Sequence, residues 1–157
     1  MTAALPWWDR LPLEALDAAQ WEALCDGCGR CCLHRLEDED SGEQFATRVH
    51  CRLLDAERCR CTDYANRHAQ VPDCMTLDAA RAGAWDWLPP SCAYRRRARG
   101  LPLPAWHPLR TGDPESVHRA GASVRGRVIS EADVAEDDYE EHIVLWVDED
   151  CSHADWR

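Results

Sequence analysis

Residues 25–32 read Cys-Asp-Gly-Cys-Gly-Arg-Cys-Cys. Four thiols in eight residues leave the backbone few conformations that use them. Cys25, Cys28 and Cys31, at x2 spacing, can point at one centre only where the chain turns tightly around it. Gly27 and Gly29 permit that turn, because glycine takes positive φ without steric cost. Two chemistries want such a loop. A tetrahedral zinc site is built from C-x2-C half-sites. An iron–sulfur cluster takes C-x2-C-x2-C with a remote fourth cysteine. Adjacent side chains diverge on a regular backbone, so Cys31 and Cys32 are not expected to grip one ion equally. Cys32 then serves a second site, bridges a cluster, or packs.

The competing use of ten cysteines is a disulfide framework, as in secreted chains. The start, Met1-Thr2-Ala3-Ala4-Leu5-Pro6-Trp7-Trp8-Asp9, lacks a basic segment followed by a long apolar run. A cytoplasmic chain is therefore expected, where such thiols bind metal or catalyse. The length, 157 residues, suits one domain. Bulk comes from eight Trp and ten Cys more than from Phe, of which Phe45 is the single example. A core so composed gains from metal staples. The formal net charge of -11 argues against a nucleic-acid or anionic-membrane binder. All 18 basic residues are Arg, which excludes a lysine Schiff base. No stretch reaches the length of a membrane span.

Residues 1–16 read as an arm with Trp7 and Trp8 as apolar anchors. A short helix follows, with Asp17 as N-cap and Gln20 completing a capping box. It ends near Cys25–Asp26, with Gly27 as the stop. Residues 33–44 read as a solvated acidic loop, in which His34 is an outlying ligand candidate. Alternation from Phe45 to Leu53 predicts a strand with Cys51 on the face of Phe45 and Val49. Cys59, Cys61 and Cys74 form a second cysteine group and a source of remote ligands. Thr76–Ala84 reads as a helix, and Ser91 opens another from Cys92 to Arg99, closed by Gly100. Cys92 sits in the first turn, where the dipole favours thiolate. Arg95, Arg96, Arg97 and Arg99 are either an anion patch or a solvated helix end. Prolines extend residues 101–109, and His107 there is a ligand candidate or a residue packed beside Trp106. Ser123–Ile129 reads as one strand and Glu131–Val147 as an acidic helix. Cys151, next to His153, lies in that tail as an outlier.

The expected fold is a small, loop-rich α+β domain with short helices and few strands wrapped around a cysteine metal site. Residues 1–130 carry the site. Residues 131–157 form an acidic, partly helical tail packed on it or extending from it. The candidate ligands are Cys25, Cys28, Cys31, Cys32, Cys51, Cys61, Cys74 and Cys92, with Cys59, His34 and His107 as outlying candidates.

The run Leu24-Cys25-Asp26-Gly27-Cys28-Gly29-Arg30-Cys31-Cys32-Leu33-His34 looks like the CxxCxxCC signature of a bacterial cysteine-cluster family. Val49-His50-Cys51-Arg52, Cys59-Arg60-Cys61, Pro72-Asp73-Cys74, Ser91-Cys92-Ala93-Tyr94-Arg95 and Leu103-Pro104-Ala105-Trp106-His107-Pro108-Leu109 resemble its YcgN-like branch. The likeness runs to about residue 147. It implies a cytoplasmic bacterial protein that chelates zinc or iron, and no accepted substrate. The recurring thiols match Cys25, Cys28, Cys31, Cys32, Cys51, Cys59, Cys61, Cys74 and Cys92. A related motif in flagellin lysine methylases adds the iron–sulfur option.

Three functions compete on this reading. One is a protein holding zinc or an iron–sulfur cluster for redox, sensing or metal handling. Another is an iron–sulfur enzyme or accessory subunit acting on an anionic small molecule. The last is a zinc-stabilised adaptor that docks a protein partner through its acidic tail.

Overall fold

The computed structural model describes residues 3–148. Pro6 opens α1 (Trp7–Arg10), and its carbonyl accepts from the N–H groups of Asp9 and Arg10. A 3-10 turn at Leu13–Ala15 then buries Leu13. The arm thus packs instead of trailing. α2 (Ala18–Leu24) begins with the capping box that the sequence predicts. Gln20 N–H donates to Asp17 Oδ1 at 2.8 Å, and Asp17 N–H donates to Gln20 Oε1 at 3.0 Å.

β1 (Leu33–Glu37) and β2 (Gln44–His50) form an antiparallel hairpin, with Leu36 opposite Phe45. The acidic loop expected over 33–44 is therefore half strand. Its tip is a local construction: Asp38 Oδ1 accepts from the N–H groups of Asp40 and Ser41. β2 is central in its sheet and buries Ala46, Thr47, Val49 and His50, so both its faces are covered. β3 (Leu54–Asp55) and β4 (Arg60–Cys61) make a second, two-stranded antiparallel ladder. α3 (Arg67–Gln70), α4 (Ala93–Ala98), α5 (Pro108–Thr111) and α6 (Ser116–Arg119) follow. β5 (Ile129–Ser130) returns to pair parallel with β2, Val49 opposite Ile129.

Two expected elements are absent and two are cut short; the strand expected over 45–53 ends at His50, so Cys51 lies just past it instead of on its Phe45–Val49 face. Residues 76–84 form turns and no helix. Asp78 caps the N–H of Arg81 at 2.9 Å and binds its Nε at 2.8 Å. A single capped turn gains too few hydrogen bonds to repay helix nucleation. Of the strand expected over 123–129, only Ile129 is in a ladder. The acidic segment from 131 is not one α-helix. It is a 3-10 turn at Glu131–Asp133, a 3-10 stretch at Glu136–His142, and then extended chain.

The apolar interior consists of three small clusters. Leu13, Leu24, Ala82, Ala93, Tyr94 and Leu103 form one, with Cys92 against it. Ala46, Leu54, Cys59, Val124 and Trp146 form another, with Cys32 against it. Trp106, Val117 and Ala122 form the last, with Cys28 against it. Each cluster is small for its share of chain, and each meets a thiol. The architecture is a loop-rich α+β domain of short helices and few strands. No helix among the described residues is long and apolar enough to cross a membrane.

Candidate metal centre

Leu24, 1% exposed, ends α2 in the core, and the chain leaves it extended at Cys25. Gly27 and Gly29 take φ +81° and +73°, as the spacing requires. Asp26 is buried and braces the turn from within. Its Oδ1 accepts from Cys28 N–H at 3.0 Å, and its Oδ2 accepts from Trp106 Nε1–H at 3.2 Å. Gly29 lies against the second cysteine group: a Cβ there would stand 2.9 Å from Val124 Cγ2 and 3.2 Å from Cys59 Cβ. The chain then winds into a 3-10 turn over Arg30–Cys32. That turn departs from the regular backbone on which neighbouring side chains diverge. The turn keeps Cys32 close enough to Cys31 to raise the Cys31 thiol pKa.

A fourth thiol reaches this loop because two helices are tied together. Trp21 in the last turn of α2 and Tyr94 in the first turn of α4 stack with ring centroids 4.6 Å apart. Tyr94 Oη–H donates to the Trp21 carbonyl at 2.5 Å. The tie sets the end of α2, at Cys25, against the start of α4, at Cys92. Cys25, Cys28, Cys31 and Cys92 stand in one electrostatic neighbourhood, with Asp26 among them.

That neighbourhood resists thiolate formation. Burial, then the charge of Asp26, holds the Cys25 and Cys28 thiols well above their ordinary range. Cys25 and Cys31 are exposed as residues, although burial is among the causes that raise both thiols. Cys31 is raised chiefly by its hydrogen bond with Cys32, and then by burial. Cys92 is pushed up to about 12 by burial. The N–H groups of Arg95 and Tyr94 do act to lower it, as the helix-dipole argument expects, but burial outweighs them.

The other candidates lie elsewhere or are occupied. Cys51 and Cys61 are neighbours in a second thiol group, with Glu131 near Cys51. The Cys51 N–H donates to the Cys32 carbonyl at 2.8 Å, which ties that group to the end of the loop. Cys59 is buried among apolar residues at φ +58°. Cys74 is half-buried in a turn closed by its N–H on the Val71 carbonyl. His34 Nε2 pairs with Glu131 Oε2 at 2.6 Å, and the ring lies on Tyr139. His107 has both ring nitrogens in use: Leu109 N–H donates to Nδ1 at 3.0 Å, so Nε2–H donates to the Leu24 carbonyl at 2.7 Å. It is fully buried, and burial lowers its pKa. Its work is to clip α5 to the end of α2. Cys151 lies outside the described residues.

The arginines after Cys92 are mostly engaged by the chain itself, with Arg99 exposed at the helix end. Arg95 reaches the Leu88 carbonyl, Arg96 the Pro102 carbonyl, and Arg97 those of Leu101 and Asp9, while Arg99 pairs with Asp86. They staple the extended segments to α4.

Sequence reasoning passed over Arg30, Trp146 and Asp148. Arg30 Nη1 pairs with Asp148 Oδ1 at 2.6 Å, both side chains almost fully buried. Asp148 Oδ2 accepts from Ser91 N–H at 3.1 Å and from Ser91 Oγ–H at 2.6 Å. The apolar run Ile143-Val144-Leu145-Trp146-Val147, which follows a stretch of acids, was the local hint that the segment turns inward.

Among the described residues, no three His, Cys, Asp or Glu side chains form a ready metal-binding group. The donor chemistry nonetheless suits one. Cys25, Cys28, Cys31 and Cys92 are soft donors whose charged forms are short of a cation. A divalent ion or an iron–sulfur core would supply it, and zinc and iron–sulfur are what all-thiolate sets select.

The comparisons with known proteins agree. A family model described as "Putative zinc- or iron-chelating domain", CxxCxxCC, matches residues 24–93. A UPF0260 protein of Azotobacter vinelandii is 59% identical over 140 residues, 89% of this chain and 94% of the relative. A UPF0260 protein of Marinobacter nauticus is 52% identical over 147 residues, 94% of this chain and 99% of the relative. Another, of Granulibacter bethesdensis, is 56% identical over 146 residues, 93% of this chain and 87% of the relative. No solved structure matches. The cysteine-cluster resemblance carried by the motifs is thus a likeness over nearly the whole length of these relatives, and the chain belongs to the UPF0260 family.

Proposed function

We propose that this is a cytoplasmic metalloprotein in which Cys25, Cys28, Cys31 and Cys92 hold one iron–sulfur cluster. The observation that supports this is the electrostatic proximity of Cys92, at the start of α4, to Cys25 and Cys31 of the loop, with Cys28 beside them. Three thiols at x2 spacing plus one remote thiol is a cluster pattern. Zinc sites more often pair two separate C-x2-C halves. When bound, a cluster supplies one-electron redox chemistry, and electron transfer or sensing is the role that follows. The chain's own residues bind and shield it: Asp26 and Trp106 fix the loop, and Tyr94 and Trp21 fix the remote ligand. Zinc is the second reading, favoured because four thiolates and no other donor make a closed structural site. Cys32, Cys51, Cys61 and Cys74 stand as ligand candidates for a second centre.

The test is iron, zinc and acid-labile sulfide analysis, with a visible spectrum, on protein purified without air. Iron with matching sulfide and a brown colour is expected. A colourless protein with stoichiometric zinc replaces the first reading with the second. Protein that takes up neither metal on reconstitution overturns both.

A further inference from the structure

Asp148 is far in sequence from every thiol of the proposed centre, yet one carboxylate joins two of their neighbours. Its Oδ1 accepts from Arg30, the residue before Cys31, and its Oδ2 accepts twice from Ser91, the residue before Cys92. These are charge-assisted bonds between almost fully buried side chains, and such bonds are short and strong. The segment carrying Asp148 is itself held down. Val144 N–H donates to the Ala46 carbonyl at 2.9 Å, Ile143 bridges to Thr47, and Trp146 is 2% exposed with the Arg30 guanidinium 4.7 Å from its ring centroid.

The Tyr94–Trp21 tie orients α4 as a body, but it acts two residues beyond Cys92 and on the helix side. Upstream, Cys92 N–H makes a local turn to the Pro89 carbonyl, which does not reach the loop. Among the described contacts, Asp148 is what spans the gap between the residue before Cys92 and the residue before Cys31. We propose that Asp148 is a positioning residue for the thiol set: it latches Ser91 to Arg30 and so holds Cys92 in register with Cys31. The mostly apolar segment 143–148 then completes the centre without giving it a ligand. This rests on the four-thiol reading above.

Two measurements separate the latch from that reading. Under nitrogen, cobalt(II) is titrated into metal-free wild type, Asp148→Asn, Ser91→Ala and Val49→Ala. Val49 is fully buried in β2 and makes none of the latch's hydrogen bonds, so its truncation controls for lost packing. Thiolate-to-cobalt charge-transfer absorbance scales with the thiolates bound. Asp148→Asn is expected to lose about a quarter of it, one thiolate in four, and Val49→Ala none. Full intensity in Asp148→Asn, or an equal loss in Val49→Ala, overturns the latch. If wild type itself gives no four-thiolate spectrum, the metal reading fails and the latch is judged on the metal-free chain. There, iodoacetamide labelling is mapped by mass spectrometry. Cys92 in Asp148→Asn should react about tenfold faster relative to Cys61, the scale of one lost charge-assisted hydrogen bond. An unchanged ratio overturns the proposal. Should Asp148→Asn not fold, Ser91→Ala, which leaves no buried charge unpaired, decides by the same two readings in the same directions.

Discussion

Gly27 and Gly29 share a left-handed backbone but not a neighbourhood, and substitution separates the two effects. Alanine at 27 meets nothing within 4 Å, so only the backbone cost applies, about 1 kcal/mol. Alanine at 29 adds contacts at 2.9 Å and 3.2 Å with Val124 and Cys59, and strain plus overpacking should cost about 3 kcal/mol. Urea midpoints of the two variants are expected to differ accordingly, and equal midpoints would mean that Gly29 is there for its φ alone. Asp26 offers a second test, because it raises the pKa of every thiol in the set. In Asp26→Asn the metal-free thiols should titrate at lower pH, seen by thiolate absorbance in the ultraviolet. Metal affinity should fall at the same time, since a buried negative charge beside the cation is gone. Both changes in the same variant are required; tighter metal binding in Asp26→Asn would contradict the role given to its charge. The glycine positions and three of the four proposed ligands were legible because they lie within one short run. Asp26 was visible as a residue but not as a brace, since its Trp106 partner lies 80 residues away.

At the scale of elements, the centre depends on two helices of seven and six residues. Helices so short are marginal alone and draw their stability from caps and packing. The exposed capping box at Asp17 and Gln20 is therefore worth more to the site than its position suggests. Asp17→Ala should destabilise the protein by about 1 kcal/mol. It should also speed hydrogen exchange at Ala23 and Leu24 more than in β2, and uniform acceleration would refute a local role. Both helices were legible from local signals, α2 from its capping box and α4 from its arginine-rich last turn and the positive-φ Gly100 that follows. β1 was not, because Leu33-His34-Arg35-Leu36-Glu37 has no strict alternation and becomes a strand by pairing with β2. The helix expected at 76–84 failed in the opposite sense. Its composition allowed a helix, but Asp78 spent its capping on a single turn.

At the scale of the molecule, three small clusters meet around the cysteine loop, and the last described stretch closes two of them with Trp146 and Val147. Removing Trp146 by alanine should cost about 3 kcal/mol or more, a large share of the 5–15 kcal/mol typical of a domain. A chain stopped at residue 142 loses Trp146, Val147 and Asp148 together and is expected not to fold, read as loss of the cooperative urea transition. A cooperative transition in that chain would show the segment to be dispensable. For the same reason, deleting 131–157 cannot separate partner docking from metal binding. The inward turn of this segment was not legible, because the dense acids of 131–141 before it read as solvated face and the Arg30–Asp148 pair joins residues 118 apart. The order of synthesis now matters. All four thiols of the proposed centre have been made once residue 92 is added, but Asp148 comes roughly 56 residues later, a delay on the order of seconds during translation. Through that interval the nascent chain carries its thiols without the clasp that aligns them. On the latch proposal, cofactor delivery is expected to follow the synthesis of Asp148, and the shorter nascent chain is expected to be the form most open to oxidants and to the wrong metal.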